Sequence, residues 1–410
     1  VKTIATNSGI AGRDAFAPSR PALSCVAVFA VLGIFAYVPA LLIFIKGMHW
    51  DGLSIIIANR DFANYWLAGR MVLAGQQQDL FSQPVYFAHM QALFGSQYPI
   101  HNWGYPPHFL LLLWPLGWLG FKSGLIVFLS ATFLLFAAAV VLFRREYAPQ
   151  SDWRILLLAL TGYVLMMVDT AQNGFLTSAL LLFGLAAMRR HPVLSGIAFA
   201  FLTIKPQLGF LLPVLLVFDR NWRAIGWTAF FCAVLVGLSI ALFGLESWTA
   251  YLTETVAYQR LVMTHWSGIF LAMMPTVFGS VRALGFSPAL AYAIQWPVTV
   301  IAAIGIVWLL WKETDPLRRM FYLVCGTFVI SPYAFNYDMG ALSAVTAILV
   351  GSQRLTRPAA IFLGVAAAIA PAVMNLGRAG LPITPVLLMA ALLSLALEGA
   401  RRAPETSVPA

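Results

Sequence analysis

The chain has 410 residues, 61% of them hydrophobic and 10% charged, with a mean hydropathy of +0.84. Soluble domains carry about 25% charged residues, so an ordinary water-soluble enzyme and a disordered chain are both excluded. The net charge of +10 would point to nucleic acid in a soluble protein, but in a chain of long apolar runs the placement of the basic residues says more than their sum.

The N-terminal stretch carries Lys2, Arg13 and Arg20, and an apolar run over residues 22–45 follows. That run is too long for a signal-peptide core and has no small-residue cleavage site after it, so it reads as a retained first helix. Basic clusters then recur between apolar stretches, at Arg144/Arg145/Arg154, Arg189/Arg190, Arg220/Arg223, Lys312/Arg318/Arg319, Arg354/Arg357 and Arg401/Arg402. With both termini and these clusters on the cytoplasmic side, that side holds most of the 25 Lys and Arg, as positive-inside bias requires. Residues 46–121 then form an outer loop. Its stretch 105–120 (YPPHFLLLLWPLGWLG) is short and carries Pro106, Pro107 and Pro115, so it reads as a juxtamembrane or re-entrant helix. The same parity demotes 269–284. The outer hairpin tips fall at 169–174, 205–207, 331–338 and 378–383, giving an all-α integral membrane protein of about twelve crossings. Residues 1–410 read as a single polytopic domain. The three cysteines, Cys25, Cys232 and Cys325, lie in apolar runs without paired spacing, which indicates neither a disulfide framework nor a Cys-based metal site.

The hairpin 192–218 is too short to cross fully, since each arm reaches only about 20 Å against a hydrocarbon core of about 30 Å. Its tip, Lys205-Pro206-Gln207, is therefore expected at membrane depth, lining a protein-walled cavity. A lone ammonium there needs an anion. A phosphate is one natural ligand, with Gln207 as a second donor; an internal ion pair with Asp169 or Asp338 is the alternative. Asp61, in the polar and aromatic stretch RDFANYWLAGR, can take a proton from a sugar hydroxyl or can simply cap a helix. The tip 331–338 (SPYAFNYD) suits a sugar or an interfacial aromatic belt, and 169–174 reads as a turn. His101, His108 and His265 face outward without ligand spacing, which argues against zinc. No phosphate loop, dinucleotide fingerprint or Asp-x-Asp pair is present.

The order of these segments resembles glycosyltransferase family 87: Asp61 after the first helix, Tyr105-Pro106-Pro107 opening a leucine-rich helix, Lys205-Pro206-Gln207, and the Ser331-Pro332 hairpin. The likeness runs from about Asp61 to Asn336. It implies a GT-C-type bundle similar to the PimE-like polyprenol-phosphate-mannose-dependent mannosyltransferases. Where some relatives carry a His in the last of these segments, this chain offers Asn336, Tyr337 and Asp338.

The resemblance implies a polyprenyl-phosphate sugar donor, usually mannose, and a glycolipid or glycan acceptor reached from the periplasmic face of the plasma membrane. It also implies that Asp61 is the general base. The expected site comprises Asp61, with Lys205 and Gln207 on the donor phosphate. Arg60, Asn64, Tyr65, Tyr105, His108, Asn173, Tyr333, Asn336 and Asp338 are expected around the substrates, with Trp66 and Trp103 as further aromatic lining. Transfer with inversion needs no metal, nucleotide or other cofactor, and no nucleic-acid partner is expected. A secondary transporter or lipid-linked sugar flippase, built on the membrane-depth Lys and Asp169, is the alternative.

Overall fold

The computed structural model describes residues 20–48, 60–99 and 101–402, and its described residues form helices and loops without strands. The expectations for Lys2 and Arg13, and for residues 49–59 of the outer loop, lie outside the described residues. Five helices are long and apolar enough to span a bilayer: α1 (Arg20–Met48), α4 (Phe121–Tyr147), α5 (Trp153–Thr170), α9 (Trp222–Phe243) and α10 (Pro288–Lys312). A sixth arises if α13 (Arg357–Ala368) and the stretch 370–378, bent by 64°, count as one. Large apolar side chains such as Phe35, Leu134 and Ile301 stand exposed along these helices, as suits a surface that faces lipid. The chain is a multi-pass membrane protein.

Several expected crossings fall on shorter helices. α6 (Gly174–Ala187) has 14 residues and α7 (Pro192–Leu202) has 11, so they reach about 21 and 16 Å. α7 gives way to a 3₁₀ turn (Pro206–Gly209) and the short α8 (Leu212–Phe218), so the arms of the Lys205 hairpin are as short as its sequence requires. α11 (Pro316–Ile330) and α12 (Gly340–Ser352) are buried almost or entirely throughout. α12, apolar on every side, would be at home either in lipid or in a core; with α11, whose Arg318 and Arg319 are paired at one end, it forms the centre of the bundle. Around them α1 crosses α5 where Gly33 meets Gly162, a Cβ on Gly33 lying 2.8 Å from the Gly162 Cα. Small residues at a crossing let backbones approach and gain dispersion contacts.

Residues 60–118 build a second apolar cluster that caps one end of the bundle. α2 (Phe62–Leu73) and α3 (Gln83–Phe94) pack there with Phe109, Leu110 and Leu113 against Phe128 and Phe243. The prolines break 105–120 into a 3₁₀ turn, a four-residue helix and a second 3₁₀ turn, as their missing N–H groups dictate. The segment 269–284 is likewise two short helices.

The basic clusters meet at the opposite end. Arg144 bonds Ser151, and the Asp152 N–H donates to the Gly351 carbonyl. Gln353 joins Asp315 and Arg318, Arg319 and Arg189 share Asp219, and Arg190 reaches Glu146. Arg318 pairs with buried Glu398 at 2.9 Å. One face of the molecule thus collects the loops on which the positive-inside reading rests.

Candidate active site

At the other end, α5 stops at Ala171, whose left-handed backbone (φ 48°) turns Gln172 and Asn173 towards α2 and starts α6 at Gly174. A non-glycine residue in this region carries strain that the surroundings must hold. The Arg60 guanidinium closes the same corner. It donates to the Asp169 carbonyl and pairs with the Asp169 carboxylate at 2.9 Å. The Asp61 N–H then reaches the Thr170 carbonyl at 3.4 Å. Arg60, expected around the substrate, thus holds Asp61 against the end of α5.

Asp61 precedes α2 in a helical conformation (φ −63°, ψ −19°), and its side chain makes no capping bond. The helix-cap alternative therefore fails. Its carboxyl instead receives hydrogen bonds from Gln172 and Asn64 and feels the charges of His101 and Lys205. Burial pushes its pKa above the ordinary 3.8, and the nearby His101 and Lys205 offset part of that rise. Each hydrogen-bonding partner is itself oriented. The Tyr65 hydroxyl donates to Gln172 Oε1 at 3.0 Å, which aims the Gln172 amide nitrogen at Asp61, and Tyr105 meets the same hydroxyl at 3.0 Å. Tyr86 donates to Asn64 Oδ1, and Asn64 Nδ2 lies 3.3 Å from His101 Nδ1.

Lys205 occupies the predicted break. Its Nζ donates to Asp338 Oδ1 at 2.6 Å and sits 4.5 Å from the Tyr337 ring centroid. Of the two partners that the sequence left open, Asp338 is the one, while Asp169 serves Arg60. Asp61 and Lys205 are within electrostatic reach of each other, and Tyr105, Tyr333 and Tyr337 lie within reach of both Asp61 and Asp338. An acid, an ammonium and a tyrosine wall, drawn from distant segments, surround one region.

The other expected residues divide. Asn173 is fully buried, with neither amide atom partnered among the described residues. Tyr333 is half-buried, its ring edge-on to Phe335 at 5.0 Å. Gln207 is half-buried on the 3₁₀ turn beside Lys205. His108 stacks on Trp248 and lies 3.2 Å from the Thr203 hydroxyl, and burial pushes its pKa down to about 4, so it is neutral. Asn336 turns away, with Nδ2 on Met166 Sδ and the Ala370 carbonyl, which ties the 331–338 tip to α5 and the bend after α13. Gln172, His101 and Tyr337 join the region although they were not among the expected site residues. Gln172 lay in a stretch that looked like a turn, and only its position beside the other tips could have revealed it.

Gly174 is the tightest point nearby. A Cβ there would overlap the Tyr337 carbonyl and lie 2.9 Å from the Tyr163 hydroxyl. Gly174→Ala is expected to push α6 from the Asp338 tip and cost about 1–3 kcal/mol or more, seen as a lower midpoint in thermal unfolding of the detergent-solubilised protein. An unchanged midpoint would count against this packing.

A family model described as "Glycosyltransferase family 87" matches residues 103–332, more than half of the chain. The match includes Tyr105, His108, Asn173, Lys205 and Gln207. Asp61 lies before its start, and Tyr333, Asn336 and Asp338 follow its end. No curated protein and no solved structure matches the chain.

Proposed function

The chain belongs to glycosyltransferase family 87, and from that premise we propose that it transfers a sugar, mannose by preference, from a polyprenyl-phosphate donor to a lipid-linked or polysaccharide acceptor on the extracytoplasmic side. The carrying observation is the shared region of Asp61 and Lys205. Asp61 takes the proton of an acceptor hydroxyl. The hydroxyl oxygen attacks the anomeric carbon as the bond from that carbon to the phosphate oxygen breaks, and the electron pair leaves with the lipid phosphate. Negative charge grows there, opposite the Lys205 ammonium, in a protein-walled site where a fixed charge is effective. A single displacement with one base inverts the anomeric centre. Arg60 positions Asp61, while Asn64 and Gln172 orient its carboxyl. Tyr65, Tyr105, Tyr333 and Asn173 offer aromatic faces and hydrogen bonds for the sugars, and His108 and Gln207 flank the phosphate.

Sidedness is supported by the placement of the site at the end opposite the basic face. A plasma-membrane location follows from such a donor. An active site on the polar side of a dozen-helix GT-C bundle, with the shorter helices completing crossings in pairs, is part of this reading.

The test is incubation of the purified protein with radiolabelled polyprenyl-phosphate mannose and candidate glycolipid acceptors. Label in the acceptor, with free polyprenyl phosphate as the co-product, is the expected result. Movement of the intact donor across vesicles without bond cleavage would overturn it in favour of a flippase. The pH profile adds a second check. A base acts only when deprotonated, and burial raises the Asp61 pKa. The turnover rate should therefore fall on acidification through a midpoint above the ordinary carboxylate value of 3.8. A midpoint at or below that value would contradict the assignment.

A further inference from the structure

The Lys205–Asp338 pair is built unlike a structural ion pair. Both side chains are buried, the Lys205 side chain at 8% exposure and that of Asp338 at 0%. Asp338 Oδ1 accepts from Lys205, yet Oδ2 has no hydrogen-bond partner among the described residues. Buried carboxylates that serve only stability have their lone pairs satisfied, because an unmet one carries its full desolvation penalty. Behind Asp338 lies a void of about 10 Å³, lined by Thr177, Ser178 and Thr327 among apolar residues, enough for about one water.

The surrounding charges are few. The titratable groups facing Asp338 are Lys205 from the 3₁₀ turn, Tyr105 from the outer loop, Tyr163 from α5, and Tyr333 and Tyr337 from its own tip. From α6, α11 and α12 the void receives hydroxyls and hydrocarbon only. Lys205 is thus the single cation held against Asp338 among the described residues. A donor phosphodiester arriving at Lys205 would set a second anion beside Asp338. In a buried site that repulsion is poorly screened.

Resting on the transferase reading above, we propose that Asp338 is a placeholder anion. It neutralises Lys205 in the empty site, and it yields Lys205 to the lipid phosphate by taking up one proton from water. The exchange keeps the subsite neutral in both states: ammonium with carboxylate before, ammonium with phosphodiester and a neutral carboxyl after. The protonated carboxyl is then a hydrogen-bond donor to the phosphate instead of a repelling charge. When the phosphate leaves, the proton returns to water and the ion pair closes again. Donor capture is therefore coupled to proton uptake.

The test uses the full chain in nanodiscs and a polyprenyl methyl phosphate diester, whose single charge does not titrate near neutrality and which carries no sugar. Calorimetric titration in buffers of different ionisation enthalpy reads the protons exchanged. The wild-type protein is expected to take up close to one proton per diester bound, with affinity falling by up to about tenfold per pH unit as pH rises. Asp338→Asn is expected to bind the diester without uptake and with a flat pH dependence. Wild-type binding without proton uptake, a measurement that needs no variant, overturns the proposal, as does uptake that persists in Asp338→Asn. Absence of any binding by the diester and by polyprenyl-phosphate mannose overturns the lipid-donor reading and this inference together.

Discussion

Asp61→Asn protein is expected to fold, to bind donor and to lose transfer by about 10²–10⁴-fold. The substitution nearly preserves shape, and the native carboxylate makes no capping bond whose loss would unwind α2. The new amide oxygen can still accept from one of Gln172 and Asn64, and the loss of the other single acceptor is too small a cost to prevent folding. What the amide lacks is the ability to accept a proton from the attacking hydroxyl. The loss should therefore appear in the turnover rate with little change in donor affinity, measured by single-turnover transfer alongside donor binding. Turnover of purified Asp61→Asn at the wild-type rate would remove the catalytic assignment. A matched loss of donor affinity would instead make Asp61 a binding group.

The second large effect belongs to Lys205. Lys205→Ala removes the cation proposed to meet the leaving phosphate and strands Asp338, whose side chain is at 0% exposure. Breaking one partner of such a pair costs about 3–5 kcal/mol, because the survivor is left as an uncompensated buried charge. Two losses are expected together: transfer activity, and several degrees or more of thermal stability in detergent. They separate in a second variant. Lys205→Met combined with Asp338→Asn leaves no stranded charge and should recover most of the stability, but it cannot recover transfer. If the double variant were active, Lys205 would be structural only. A single variant as stable as the wild type would mean that Asp338 is not left as an uncompensated buried charge.

The class of the molecule was legible because a lipid environment imposes long apolar runs and short basic interruptions, and those are properties of composition and order. The broken helix at 107–118 was equally legible, since Pro106, Pro107 and Pro115 act locally. The short hairpin that sets Lys205 inside the protein could be deduced from residue counts alone. The family followed from the order of a few motifs, and the family match over 103–332 accords with it.

Other features were out of reach of any local rule. α12 is as apolar as a lipid-facing helix, and only packing shows that it and α11 form the centre of the bundle. The local pattern around Asp61 fitted a helix cap, and only the structure shows that its side chain makes no capping bond and faces Gln172 instead. Arg60 seemed ready for a substrate and is held by Asp169, while Asn336 is spent on Met166 and Ala370.

The amino-acid order by itself determined a multi-pass helical membrane protein, its basic face, its helix breaks and its family resemblance, because each depends on composition or on neighbours within a turn or two. The tertiary structure alone decided which charges meet. Lys205 and Asp338 are 133 positions apart, and Arg60 and Asp169 are 109 apart. Their pairing depends on how the helices stack, since apolar faces fix the stacking and the buried charges must then find partners within it.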